Sequence, residues 1–279
     1  MIPARQSPTP RLTDRPALMR NRQRAGRIGF VDVLHRIVAD EIELRLAEVN
    51  RRFTDIAIVT GAPGFWQPLF PQARVVPDAP DLDLAPGAHD LVIHAMALHW
   101  AEDLVGQIVQ CARALRPDGL FIAALPGGRT LSELREALAR AEAEVSGGLS
   151  PRVLPMGEIR DLGALLARAG LALPVADQIV QPASYRSLIH LGHDLRAMGE
   201  GNALAARLRR PTRRAVLLRA AQLYAESHPD PDDPQRIRAT YELVFLTGWA
   251  PDASQQKPLR PGSAKMPLAE ALASTRKPQ

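Results

Sequence analysis

DIAIVTG, residues Asp55 to Gly61, is a short apolar run that ends on a glycine. Such a run suits a strand buried on both faces of a parallel sheet and leading into a tight turn. DLVIHAMAL, Asp90 to Leu98, and LFIAAL, Leu120 to Leu125, repeat the pattern downstream. Between them Leu104, Ile108, Cys111 and Leu115 recur at helical spacing, and Arg116-Pro117-Asp118-Gly119 ends the stripe. Strands separated by helices predict an α/β fold, a mostly parallel sheet with helices on both faces wound in right-handed crossovers. Ligands of such sheets bind at the carboxyl ends of the strands. The residues following Val59, Leu98 and Leu125 are therefore where chemistry is expected.

Upstream, Leu34, Val38, Ile42, Leu46 and Val49 form one apolar helical stripe. The proline-rich stretch 62–89 has no helical period and reads as loop, with one short strand around Arg74 to Val76. Downstream, Thr130 and Glu133 have the spacing of a capping box before Leu134, Leu138, Ala141 and Val145, and Gly147-Gly148 can close that helix. Ile159, Leu162, Leu165 and Leu166 predict another helix, followed by a strand over Leu171 to Val180 that Pro174 interrupts. Helical patterns run from Leu188 to Met198 and from Arg214 to Ala225, and Ala239 to Trp249 is β-rich.

The composition is that of a folded domain, with 46% apolar and 23% charged residues. Seven arginines against one acid, Asp14, concentrate the basicity of the chain in residues 1–28 and leave the remainder near neutral. A near-neutral folded body argues against a nucleic-acid-binding face, and the one basic cluster there, Arg207, Arg209, Arg210, Arg213 and Arg214, reads as a solvated face. The division expected is a basic disordered arm over 1–28, a domain over 29–250 and an extended tail over 251–279. The single cysteine, Cys111, has no partner in the chain, which fits a reducing, cytoplasmic compartment. No apolar run is long enough for a transmembrane span. Metal-site spacings, a phosphate-binding loop and a serine-nucleophile elbow are all missing from the sequence.

The ordered run Asp90-Leu91-Val92, His99-Trp100, Asp103-Leu104 and Leu115-Arg116-Pro117-Asp118-Gly119-Leu120-Phe121 resembles the second half of the class I S-adenosylmethionine-dependent methyltransferase domain. Further stretches resemble the family of mitochondrial complex I assembly factor 5, an arginine hydroxylase built on that fold, and its alphaproteobacterial relatives. They include Gly127-Gly128 with Thr130-Leu131, Ser150-Pro151-Arg152, Asp194-Leu195-Arg196-Ala197-Met198-Gly199-Glu200 and Gly248-Trp249. The resemblance runs from about Asp14 to the C-terminal tail and implies a Rossmann-like fold.

It also implies site residues. Thr60, Gly61 and Gly64 stand at the cofactor turn after the first strand, although an acidic residue of the family pattern is replaced around Val59-Thr60 and Pro63 removes an N–H donor. Only 29 positions separate Gly61 from Asp90, too few for two helices and two further strands, so the fold is reduced around the second strand. Asp78 matches the family's adenine-contacting aspartate, or has taken the place of its ribose-binding acid; the plainer reading is a turn residue between Pro77 and Pro80. His99 as a base and Trp100 as a stacking surface for a guanidinium are the catalytic candidates, against a pair that only shapes the strand end. His94 reads as core. Gly128 and Arg129 are candidates for substrate contact, or simply a turn feeding the next helix.

The resemblance implies an S-adenosylmethionine-using enzyme that methylates or hydroxylates a protein side chain, with a respiratory-complex subunit as substrate or partner. A non-catalytic assembly scaffold that has lost the cofactor is the rival, and an RNA methyltransferase guided by the Arg-rich arm is a weaker third.

Overall fold

The computed structural model describes residues 11–255. Six strands form one sheet in the order β2-β1-β3-β4-β6-β5. β1 (Ile56–Thr60), β2 (Arg74–Pro77), β3 (His89–Ala95) and β4 (Leu115–Pro126) are parallel. β6 (Ile237–Trp249) runs antiparallel between β4 and the edge strand β5 (Ala172–Tyr185). Pro174 and Pro182 both lie on that edge strand, where a missing N–H costs no ladder bond, and the register shifts between Ala172 and Val175.

Alternation along the buried strands feeds two cores. Ile58, Leu91, Ile93, Ile122 and Phe245 face one side. They pack there with α2 (Val33–Glu48), α5 (Ser132–Ser146) and α8 (Arg214–Ser227). Ala57, Val59, Val92, Phe121 and Leu246 face the other, against α4 (Leu104–Ala114) and α6 (Ile159–Arg168). Cys111 is buried in this second core, where exclusion of water pushes its thiol pKa far up. Among the described residues no helix is long and apolar enough to cross a membrane.

Three local expectations are corrected. Residues 15–28, expected as part of a disordered arm, form α1 (Arg15–Ile28): Asp14 caps it by accepting from Ala17 N at 3.0 Å, and proline occupies its first turn. The segment entering α1 is held by Thr13 Oγ1 donating to Trp100 O at 2.9 Å and by two backbone N–H bonds to Glu102 at 2.8 Å. Residues 1–10 of the arm and 256–279 of the expected tail lie outside the described residues. The stretch 62–89 contains, besides β2, the short helix α3 (Pro63–Leu69). Thr130 and Glu133 make no capping box, because α5 starts one residue after Leu131 in a left-handed conformation at φ 53°. Their side chains bond to β6 instead, Thr130 Oγ1 to the backbone of Glu242 and the Glu133 carboxylate to Thr240. Gly147 closes α5 at φ 67°, in agreement with the sequence pattern.

His94, in β3, is fully buried, and burial pushes its pKa from 6.5 down to about 4. His35, in α2, is likewise pushed down to about 4 by burial. The Trp66 indole donates to His35 Nδ1 at 3.0 Å, which requires the neutral ring with its proton on Nε2. Both folded-state values lie below the unfolded one, so stability is complete above pH 6.5 and declines as pH falls toward 4, by about 3 kcal/mol per histidine. Urea unfolding between pH 7 and 4 should show this decline, roughly halved in His94→Gln. A flat profile over that range would contradict the burial of both rings.

Candidate functional site

The turn after β1 opens on the carboxyl edge of the sheet. Thr60 Oγ1 accepts from Ala62 N at 3.1 Å, which bends the chain so that Gly61 and Gly64 flank the start of α3. This turn forms part of the wall of a chamber of about 450 Å³, a size typical of small-molecule sites. Phe30, His35, Met96, Met198 and Glu200 contribute to the rest. Met96, directly after β3, has φ 51°, a left-handed conformation that costs a non-glycine residue energy and turns the chain sharply at the strand end. The apolar run predicts a strand continuing to Leu98, where the structure has instead a 3-10 turn over Leu98–Trp100.

Asp78 directly follows β2, the strand beside β1, and no strand lies beyond β2 among the described residues. It therefore stands at the end of the second strand, where the family's ribose-binding acid is expected. Its side chain is buried, and both carboxylate oxygens are taken by α1. Arg22 donates through Nη1 to Oδ1 at 2.7 Å and through Nη2 to Oδ2 at 3.1 Å, and Arg15 Nη1 donates to Oδ2 at 3.0 Å. Burial by itself would raise this carboxyl's pKa, but the Arg22 and Arg15 guanidinium groups outweigh it and hold the group below the usual range. The Arg22 guanidinium also lies directly over Gly61, where any side chain would collide with it. Pro63 and Gly64 remain open on the chamber side, with free space above Gly64.

His99 and Trp100 are brought together, His99 away from open space and Trp100 on the border of an apolar chamber. The His99 side chain is only 3% exposed, and its Nε2 lies 3.2 Å from Glu200 Oε2. The Trp100 indole donates to the same oxygen at 2.8 Å, and its ring packs against Ala17, Leu18, Leu154 and Leu204 under α1. Glu200, which follows α7 (Leu188–Ala197), is the side chain that both of them hold. It borders the first chamber and a second, more apolar one of about 260 Å³ that includes Leu34, Leu131, Leu134 and Leu195. Burial works to raise the Glu200 pKa, but His99, Arg22 and Trp100 outweigh it and keep the carboxylate charged. Neither Glu200 nor Arg22 stands out in the sequence. Their signal is no more than inclusion in a stretch of family resemblance for the one and in a basic segment for the other.

Gly128 and Arg129 stand apart from both chambers. A side chain at Gly128 would strike the Glu158 carboxylate, and Arg129 N donates to Glu242 at 2.8 Å. Their neighbour Thr130 borders the second chamber. Among the described residues no group of histidine, cysteine and carboxylate side chains could hold a metal ion.

A family profile described as a methyltransferase domain matches residues 41–123. The chain is 40% identical over 181 residues to the mitochondrial arginine-hydroxylase NDUFAF5 of Dictyostelium discoideum, a match covering 65% of this chain and 41% of that protein. The human protein of the same name is 36% identical over 200 residues, covering 72% and 57%. A malonyl-[acyl-carrier protein] O-methyltransferase of Xylella fastidiosa is 32% identical over 187 residues, covering 67% and 59%. The chain thus spans roughly half the length of these relatives. Among solved structures, the YcgJ protein of Bacillus subtilis aligns with a TM-score of 0.48 at 12% identity, covering 77% of this chain and 100% of that one. The matched domain and the relatives together show a methyltransferase domain over residues 41–123, in a chain that is similar to the NDUFAF5 arginine-hydroxylases and to a malonyl-[acyl-carrier protein] O-methyltransferase.

Proposed function

We propose that the chain uses its methyltransferase fold to modify a protein side chain, or to assist the assembly of a respiratory complex, in a reducing compartment such as the cytoplasm. The observation that carries this reading is the pair of adjoining chambers at the strand ends, one bordered by the glycine turn after β1 and the other apolar, with Glu200 between them. The relatives named arginine-hydroxylase support a protein side chain as the acceptor. An aliphatic stem suits the leucine-lined second chamber, and a cationic end suits the Glu200 carboxylate. His99 is then a positioning residue that orients Glu200, and Trp100 does the same from its indole N–H.

S-adenosylmethionine is the cofactor that this reading assigns to the first chamber, through Gly61 and Gly64 on its wall, with Thr60 behind the turn and Asp78 reached across Arg22 from a neighbouring cleft of about 250 Å³. The chamber has the volume for it and the Gly64 side is bare, but Asp78 as arranged does not fit. An acid that accepts two ribose hydroxyls needs free lone pairs, and those of Asp78 are occupied by Arg22 and Arg15. That same observation favours the second reading, a scaffold that has kept the fold and lost the ligand.

Calorimetric titration of the purified chain with S-adenosylmethionine separates the two. Binding at micromolar strength, about −8 kcal/mol, is expected of the enzyme, and no heat at millimolar ligand from the chain or from its Arg22→Met variant makes it a scaffold.

Glu200→Gln keeps an acceptor for Trp100 and removes the charge. In cells lacking the chain, it should restore modification of the acceptor about a hundredfold less effectively than the wild type, with Tm shifted by a few degrees at most. His99→Ala should act in the same direction. Full rescue of complex assembly by both variants would remove Glu200 and His99 from the functional assignment.

A further inference from the structure

Arg15 and Arg22 stand seven residues apart on α1, two helical turns, and so share one face. That face points at Asp78. Arg15 bonds the Asp78 carboxylate and its backbone carbonyl, the latter at 2.6 Å, while Arg22 takes the carboxylate through both terminal nitrogens. Four N–H groups converge on one residue. The same Arg22 is accommodated by bare backbone on two sides. A side chain at Gly61 would collide with its guanidinium, and one at Gly199, where φ is 80°, would come within 3.3 Å of its Cα and Cγ. Just beyond, the Asn21 amide donates to Gly201 O at 2.9 Å and fixes the register of α1 against that segment.

An ion pair needs no glycines around it. Here Arg22 covers the two features that a nucleoside ligand would use at the end of this sheet: the carboxylate that would accept vicinal hydroxyls and the glycine face that would let a ligand approach the backbone. We infer that Arg22 is a built-in competitor for the cofactor position, so that α1 latches the site shut and an adenosyl ligand binds only when Arg22 leaves Asp78. The inference rests on the reading of Asp78 as the ribose-binding acid. No covalent bond is made or broken. One set of hydrogen bonds to Asp78 replaces another, and the cost of displacing α1 is therefore subtracted from the ligand's intrinsic affinity.

The test compares the full chain with Arg22→Met, which preserves the aliphatic stem and leaves Arg15 to pair with Asp78. Affinity for S-adenosylmethionine is measured by calorimetry, and amide hydrogen exchange is followed in the absence of ligand. The variant should bind at least about tenfold more tightly, and the amides of Ala17 to Ala25 should exchange faster while α5 and α8 keep their protection. Equal and measurable affinities in the two proteins would overturn the latch and leave the cofactor reading intact. No binding by either folded protein at millimolar ligand would defeat the cofactor reading, and this inference with it. Should Arg22→Met fail to fold, the wild type decides. Saturating S-adenosylmethionine should accelerate exchange in α1, and added protection there would overturn the proposal.

Discussion

The carboxylate of Asp78 organises the ligand end of this protein. A charge buried at the end of β2 is tolerable only if it is paired and its lone pairs are satisfied, since an isolated buried carboxylate costs several kcal/mol. Arg15 and Arg22 meet that requirement, and both come from a helix that the sheet alone does not need. Their pull on Asp78 draws α1 across the strand ends, where Ala17 and Leu18 complete a small apolar cluster with Trp100, Leu154, Ala203 and Leu204. Pairing and packing thus reinforce each other. The ion pair alone would not hold a helix of such low apolar content, and the cluster alone would leave Asp78 charged and unpartnered.

The position of α1 also sets the shape of the candidate site. With the helix in place, open volume at the carboxyl edge lies on either side of Met96, Met198 and Glu200. Glu200 is held by two donors contributed by a single tight turn, His99 and Trp100, so its position is coupled to the end of β3 and through Trp100 to α1. One short segment therefore links the chamber beside the glycine turn, the apolar chamber and the covering helix. This coupling is the physical content of the proposal that the fold can open and close around a ligand.

Much of the sheet was legible from residues alone. β1, β3 and the core of β4 are short, mostly aliphatic runs bounded by turn residues, the pattern of strands buried on both faces of a parallel sheet. The helices α2, α4, α6 and α8 declared themselves through apolar spacing. The misses share a cause. α1 buries only Ala17, Leu18 and Ala25, too little periodic signal to stand out among arginines, and its stability comes from residues far along the chain. The apparent capping box of Thr130 and Glu133 failed because β6 offered both side chains stronger partners across more than 100 residues of sequence. Local motifs yield when a buried strand supplies a better-satisfied bond.

By itself the sequence determined the alternation of strands and helices, the shortening of the chain from Gly61 to Asp90, and the kinship with methyltransferases, because these depend on local spacing and on short ordered motifs. Only the tertiary structure decided which residues meet. Asp78 and Arg22 are 56 positions apart, and His99 and Glu200 are 101 apart, so no local rule could pair them. The physical reason is that burial and pairing of charge are properties of the assembled sheet edge: a carboxylate acquires its partners there from whichever segments the packing carries past it.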